Sequence, residues 1–365
     1  MKNPKTKIVV IGLGIILAAM AAVILLSRGG GMTHVSLTGY LGGEKIGFLD
    51  DERVKDIMSK DYGLAVSYTK MGSLDMARAE TGGQDYLCPS NSFALELFKS
   101  NGGHYKQADD VFISPIVIYS WDKAVDALLA KGAVSKVSDT VYTLDMKKLI
   151  DLVLSDTTWE DIGLDELYGP ICVYSTDPIH SNSGNLLTVL VATVLNENKV
   201  VKRTDVPDLI EPLNDFMSKS GYKETSSADL FSQYLRTGIG GKTLVALYEN
   251  QLIEFAGQNP RDWAAIKDRV RILYPTPTVW SSHPFIALTD NATRFFEAVG
   301  DDEIQKIAWE GHGFRVGASG SSVLTDEMRQ MGIAEDVTKI IQMPDYPAME
   351  ELLDFLSARW DDPDR

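Results

Sequence analysis

A chain of 365 residues is long enough for two domains of ordinary size, and its 44% hydrophobic and 24% charged content without low-complexity tracts excludes a mainly disordered protein. A net charge of −16 excludes nucleic acid as a partner, because no basic patch is present to displace counterions from phosphates. Two cysteines, Cys88 and Cys172, are too few for a disulfide framework, and whether they pair is left open by the sequence.

The amino terminus differs in kind from the rest. MKNPKTK carries Lys2, Lys5 and Lys7 without an acid, and residues 8 to 26, IVVIGLGIILAAMAAVILL, hold no charged or polar side chain. At about 1.5 Å per residue such a run nearly spans a hydrocarbon core of about 30 Å. The lysines before it and the single Arg28 after it orient the amino terminus to the cytoplasm and the remainder outside. An Ala-Met-Ala at 19 to 21 offers a cleavage site, but the run continues past it, so the expectation is an uncleaved single-pass anchor followed by the tether SRGGGMT. The remainder carries 31 basic and 51 acidic residues, net −20. Acidic clusters such as DDER at 50 to 53 and the terminal WDDPDR read as solvated surface.

From residue 34, β-rich runs alternate with helical ones. HVSLTGYL predicts a strand with a glycine loop after it, and KIGFLDDERVKDIMSKDYG a helix closed by Gly63. LAVSYTKM predicts a second strand and SLDMARAETGG a second helix, and QDYLCPSNSFALELFKSNGG repeats the unit around a Pro-Ser-Asn-Ser loop. Such alternation predicts a mostly parallel α/β sheet covered by helices, with ligands at the loops after the strands. VFISPIVIYSW at 111 to 121 reads as a core strand broken by Pro115 or as a strand leaving one domain for another. A second α/β block follows, and RVRILYPTPTVWSSHPFIAL at 269 to 288 is a second extended passage. Two extended connections bracketing a middle block predict two lobes: 32–117 with 280–365, and 118–279, after an anchor and tether at 1–31.

STDPIHSNSGN stands directly before the apolar run LLTVLVATVL and supports two readings. Asn182, Ser183 or Asn185 suits a helix N-cap, and the same first-turn N–H groups suit a cradle for an anion or polar molecule. Catalytic motifs fail on spacing. GGKT at 240 to 243 has Arg236 where a phosphate-binding loop needs glycine, and GHGFRVG has Val316 where the dinucleotide fingerprint needs its third glycine. Ser183 lacks the G-x-S-x-G frame of a nucleophile elbow, so no enzyme is expected. His34, His104, His180, His283 and His312 show no metal-ligand spacing, and neither a metal nor a cofactor is expected.

SPIVIYSW, STDPIHSNSGN, VALYENQLIEF, ILYPTPTVWSSHPFIAL and GHGFRVG, in that order and spacing, resemble the crossovers and binding loops of extracytoplasmic solute-binding proteins. The likeness is to the type II periplasmic-binding-protein group, molybdate- and sulfate-binding-like, over residues 34 to 355. It implies a non-catalytic binder that holds a small polar or oxyanion ligand between closing lobes, with an ABC-type permease as partner. The positions implied to touch the ligand are Thr38, Ser90, Asn91, Ser183, Gly184, Asn185, Tyr248 and Glu249. The first loop departs from the group: TGYLGGEK replaces a serine-rich turn, and Glu44 opposes an anion unless Lys45 compensates. A sensor or scaffold domain of a membrane complex that kept this fold is the alternative reading.

Overall fold

The computed structural model describes residues 33–315 and 323–360, so the expected anchor and tether lie outside the described residues. Nine strands carry the fold: β1 (Val35–Leu41), β2 (Leu64–Lys70), β3 (Tyr86–Cys88), β4 (Gln107–Trp121), β5 (Val134–Lys136), β6 (Tyr142–Asp145), β7 (Val245–Tyr248), β8 (Val270–Thr276) and β9 (Trp280–Ala287). In the first sheet β1 pairs in parallel with both β2 and β3, and β9 runs antiparallel between β3 and the first half of β4. In the second sheet the other half of β4 pairs antiparallel with β7 and β8, and β8 extends in parallel to β6.

β4 therefore serves both sheets. It leaves β9 at Pro115, opposite Trp280, and from Ile116 onward it pairs with Tyr248 and the rest of β7. Proline has no N–H to give a ladder, so the point where the chain changes partners is where it does least harm. The expected pair of extended crossings is what the chain forms, β4 outward and β8–β9 back.

Local chemistry trimmed two predicted helices. The run expected to be helical from Lys45 to Gly63 breaks at Asp51, which is extended and accepts the Arg53 N–H to start a new helix, Glu52–Tyr62. Gly63 closes that helix in the left-handed conformation at φ 60°, as the sequence predicts. The second helix covers only Ser73–Arg78.

The helix Asn182–Leu195 is apolar on all faces, and every residue from Asn182 to Val194 is buried, so it is the axis of the second lobe. The carboxyl-terminal segment packs in more than one cluster. Leu324, Met328, Met331 and Ile333 pack with Val117, Tyr119 and Ile272, and Met349, Leu352 and Leu356 join the cluster around the Asn182–Leu195 helix. These apolar faces cover the second sheet, whereas Phe295, Ile304 and Phe314 pack on the first.

Glu249, expected at the ligand, serves this framework instead. Arg315 grips its carboxylate with Nε to Oε2 at 2.7 Å and Nη2 to Oε1 at 2.9 Å, Tyr274 OH donates to Oε1 at 2.6 Å, and both charged side chains are fully buried. The Arg315 backbone also exchanges hydrogen bonds with Ile113 of β4 at 3.0 Å in each direction, which ties the turn after the helix Asp302–His312 to the crossing strand. Glu249→Gln leaves the guanidinium buried without its counter-charge and is expected to cost about 3–5 kcal/mol in equilibrium urea unfolding.

Candidate functional site

A cleft of about 450 Å³ opens where the two sheets meet. From the first sheet's side it is lined by Gly42–Glu44 after β1, Lys70–Ser73 and Asp75 after β2, and Ser90 after β3, which are the strand ends where parallel sheets present their loops. From the second it is lined by His180–Asn182, Thr225–Ser227 and Tyr248.

The loop after β1 requires glycine at position 42: a Cβ there would stand 2.6 Å from Ser90 Oγ and 2.7 Å from Glu44 Oε1. Gly72 is pressed equally from the other lobe, since its Cβ would meet the His180 carbonyl oxygen at 2.7 Å. Lys70 Nζ reaches across the cleft to donate to Ser226 Oγ at 3.2 Å.

The choice between cap and cradle divides within one helix. Thr176 Oγ1, from the preceding loop, accepts the Gly184 N–H at 2.8 Å and lies 2.7 Å from Ser183 Oγ, and a Cβ at Gly184 would strike the Thr176 carbonyl at 2.1 Å. Thr176 therefore caps this turn, with Ser183 hydrogen-bonded to it and Gly184 as a packing contact. Asn185 is buried, and among the described residues neither of its amide atoms has a partner. Asn182 faces the cleft, where its Nδ2 donates to Ser90 O at 2.7 Å and Tyr248 OH at 3.0 Å and its Oδ1 accepts from Asn91 Nδ2. Asn91 also caps its own helix by accepting the Ala94 N–H at 2.7 Å. Thr38 lies on the exposed face of β1, with Oγ1 3.0 Å from Ser67 Oγ, and does not line the cleft.

Of the eight positions implied by resemblance, Ser90 and Tyr248 thus line the cleft, Asn91 stands one bond behind it, and Thr38, Ser183, Gly184, Asn185 and Glu249 do not line it. Sequence reasoning passed over Lys70 and the triplet Thr225–Ser227, and it met His180–Asn182 only within the stretch STDPIHSNSGN. The triplet had a signal: TSSADLF sets hydroxyls before an apolar helix as SNSGNLL does.

Beneath the cleft lies a buried charged cluster. Lys45 Nζ pairs with Glu44 Oε1, donates to Ser90 Oγ at 3.0 Å and Pro89 O at 3.2 Å, and lies 3.2 Å from His283 Nδ1. Burial, reinforced by the Lys45 charge, pulls His283 down to about 4, so the imidazole is neutral at physiological pH. Burial and the Glu44 charge push the Tyr248 phenol well above its ordinary value, which keeps its proton available for hydrogen bonding.

No protein-family model and no curated protein matches the sequence. Solved structures do match the fold. The sulfate-binding protein SubI from Mycobacterium tuberculosis aligns with TM-score 0.54 at 14% identity, covering 85% of this chain and 94% of that one. The Trichodesmium protein IdiA (FutA), in complex with iron and citrate, aligns with TM-score 0.55 at 12% identity over 88% and 98% of the two chains. The substrate-binding protein of an ABC transporter from Agrobacterium tumefaciens aligns with TM-score 0.54 at 14% identity over 90% and 95%. The chain has the type II periplasmic-binding-protein-like fold, as its crossovers and loops suggested. Among the described residues no helix is long and apolar enough to cross a membrane, and the segment 8 to 26 lies outside them.

His283 gives the site a pH signature. The unfolded chain takes up its proton near 6.5 and the folded one near 4, so between these values the unfolded state binds more protons and stability rises with pH. Urea midpoints are therefore expected to fall as pH drops from 6.5 to 4, with a shallower fall in His283→Gln.

Proposed function

We propose that this chain is an extracytoplasmic solute-binding protein, held at the cell membrane by residues 8 to 26, which captures a small polar or anionic ligand by lobe closure for uptake through an ABC-type permease. The observation that carries this reading is the single cleft lined from both sheets, where first-turn residues of two helices, Asn182–Leu195 and Ser227–Thr237, meet Lys70. A helix amino terminus offers unpaired N–H groups and the positive end of its dipole, so two of them beside an ammonium favour an anionic group. Neither Ser181 nor Ser226, the N-cap residues, uses its side chain to cap its own helix.

The lobes we assign are 32–117 with 280–315, and 118–279 with 323–360, the latter following the packing of the carboxyl-terminal helices. Closure then acts as a population shift: each lobe supplies part of the ligand's hydrogen bonds, and the shut form gains what the open one cannot make. Two of the fold neighbours, the sulfate-binding protein SubI and the substrate-binding protein of an ABC transporter, are binders, which supports a non-catalytic role.

A small anion at 100 times its Kd is expected to add about 2.7 kcal/mol of stability, read as a rise in melting temperature. Lys70→Ala should remove most of that rise while leaving the ligand-free melt nearly unchanged, because the hydrogen bond it loses across the cleft, to Ser226 Oγ, is solvent-exposed. No ligand response in a broad screen, together with capture of a protein partner, would overturn the reading in favour of a sensor or scaffold. Deletion of residues 1 to 31 is expected to move the chain from the membrane to the soluble fraction on cell fractionation; retention at the membrane would remove the anchor from the proposal.

A further inference from the structure

The cleft mixes donors with carboxylates. Ser226 comes from the second sheet's side, with the helix amino termini behind it, and Lys70 reaches it from the first. The first sheet's side also bears two carboxylates, Glu44 and Asp75. Glu44 is only 8% exposed, and its contacts from Lys45, Ser90 and His283 all fall on Oε1. Among the described residues nothing donates to Oε2. Burial alone would raise this carboxyl's pKa, but Lys45 and the His283 contact outweigh it and hold the group well below the usual carboxylate range. Lys45 is consumed in this pairing, with its other bonds going to Pro89, Ser90 and His283, so it is not available as the ligand's counter-ion.

A carboxylate oxygen at a cleft wall is satisfied by water when the cleft is empty, and whatever displaces that water must bring a donor of its own. A fully deprotonated tetrahedral oxyanion brings only acceptors and would meet Glu44 as a like charge. The volume of about 450 Å³ also falls in the range of sites for organic ligands, roughly 300–1,000 Å³.

We propose that the cleft selects a small organic anion that also carries hydroxyl or ammonium donors, its acidic group lying toward Lys70 and Ser226 and its donor on Glu44, in preference to a bare oxyanion. This rests on the solute-binding reading above and narrows its ligand class. The specificity would then come from Glu44 as much as from Lys70, since a site built to meet a donor penalises the analogue that lacks it.

The test is calorimetric titration of the full-length protein in detergent with glycerol 3-phosphate, 2-aminoethylphosphonate, sulfate and molybdate. At least one of the first two is expected to bind tenfold or more tightly than both oxyanions, and which of them does so tells hydroxyl from ammonium. Glu44→Gln should erase that advantage without weakening sulfate. Because Glu44 is buried against Lys45, that variant is read only if its melting transition is retained; Asp75→Asn, at an exposed position, should lower the same preference about threefold. Sulfate or molybdate binding as tightly as the donor-bearing anions, or a preference unchanged in both variants, overturns this inference and leaves the solute-binding reading standing. No binding by any of the four overturns both.

Discussion

One strand belongs to two sheets, and the cleft exists because of it. β4 runs antiparallel to β9 up to Pro115 and then between β7 and β8, so the lobes are joined through continuous backbone rather than by a docked interface. The buried Glu249–Arg315 pair stands beside this passage, and Glu249 N donates to the Pro115 carbonyl at 3.1 Å. A bidentate pair in so dry a place adds little net stability by itself, yet either half alone would be a strongly unfavourable charge, so it specifies how the segment after the helix Asp302–His312 must seat.

The electrostatics around the cleft follow a similar economy. Lys45 and Glu44 neutralise each other under its floor, and burial keeps His283 uncharged beside them. That leaves Lys70, Asp75 and the helix termini as the remaining charges and dipoles that line the cleft. The strongly acidic surface, net −20 beyond the amino-terminal segment, makes the positive groups among them the more necessary if an anion is to be held.

Much of the fold was legible because it is written in local periodicity and punctuation. The alternation of VSLTGYL and LAVSYTK and Gly63 at a helix end each have one physical reading, and the chain follows it; the apolar run around Pro115 reads as a long strand, and it forms one. The site was less legible, and STDPIHSNSGN shows why. Its hydroxyls and amides all suit a helix start, but whether a given one caps, packs or faces solvent depends on rotation about the helix axis relative to a lobe the segment does not contain. Thr176 takes the cap, Gly184 the close approach, and Asn182 the cleft. Tyr248 and Glu249 divide in the same manner, because the strand ends at Tyr248 and the backbone turns into the next helix at Glu249.

The sequence by itself determined the alternating α/β build, the two extended crossings, the acidic exterior and the absence of any complete catalytic motif, since composition and short-range spacing suffice for these. Only the tertiary structure decided which polar groups share a cleft. Lys70 and Ser226 lie 156 residues apart, and Lys45 and His283 lie 238 apart. Contacts at that separation are fixed by how two sheets share one strand, and no local pattern in either segment carries that information.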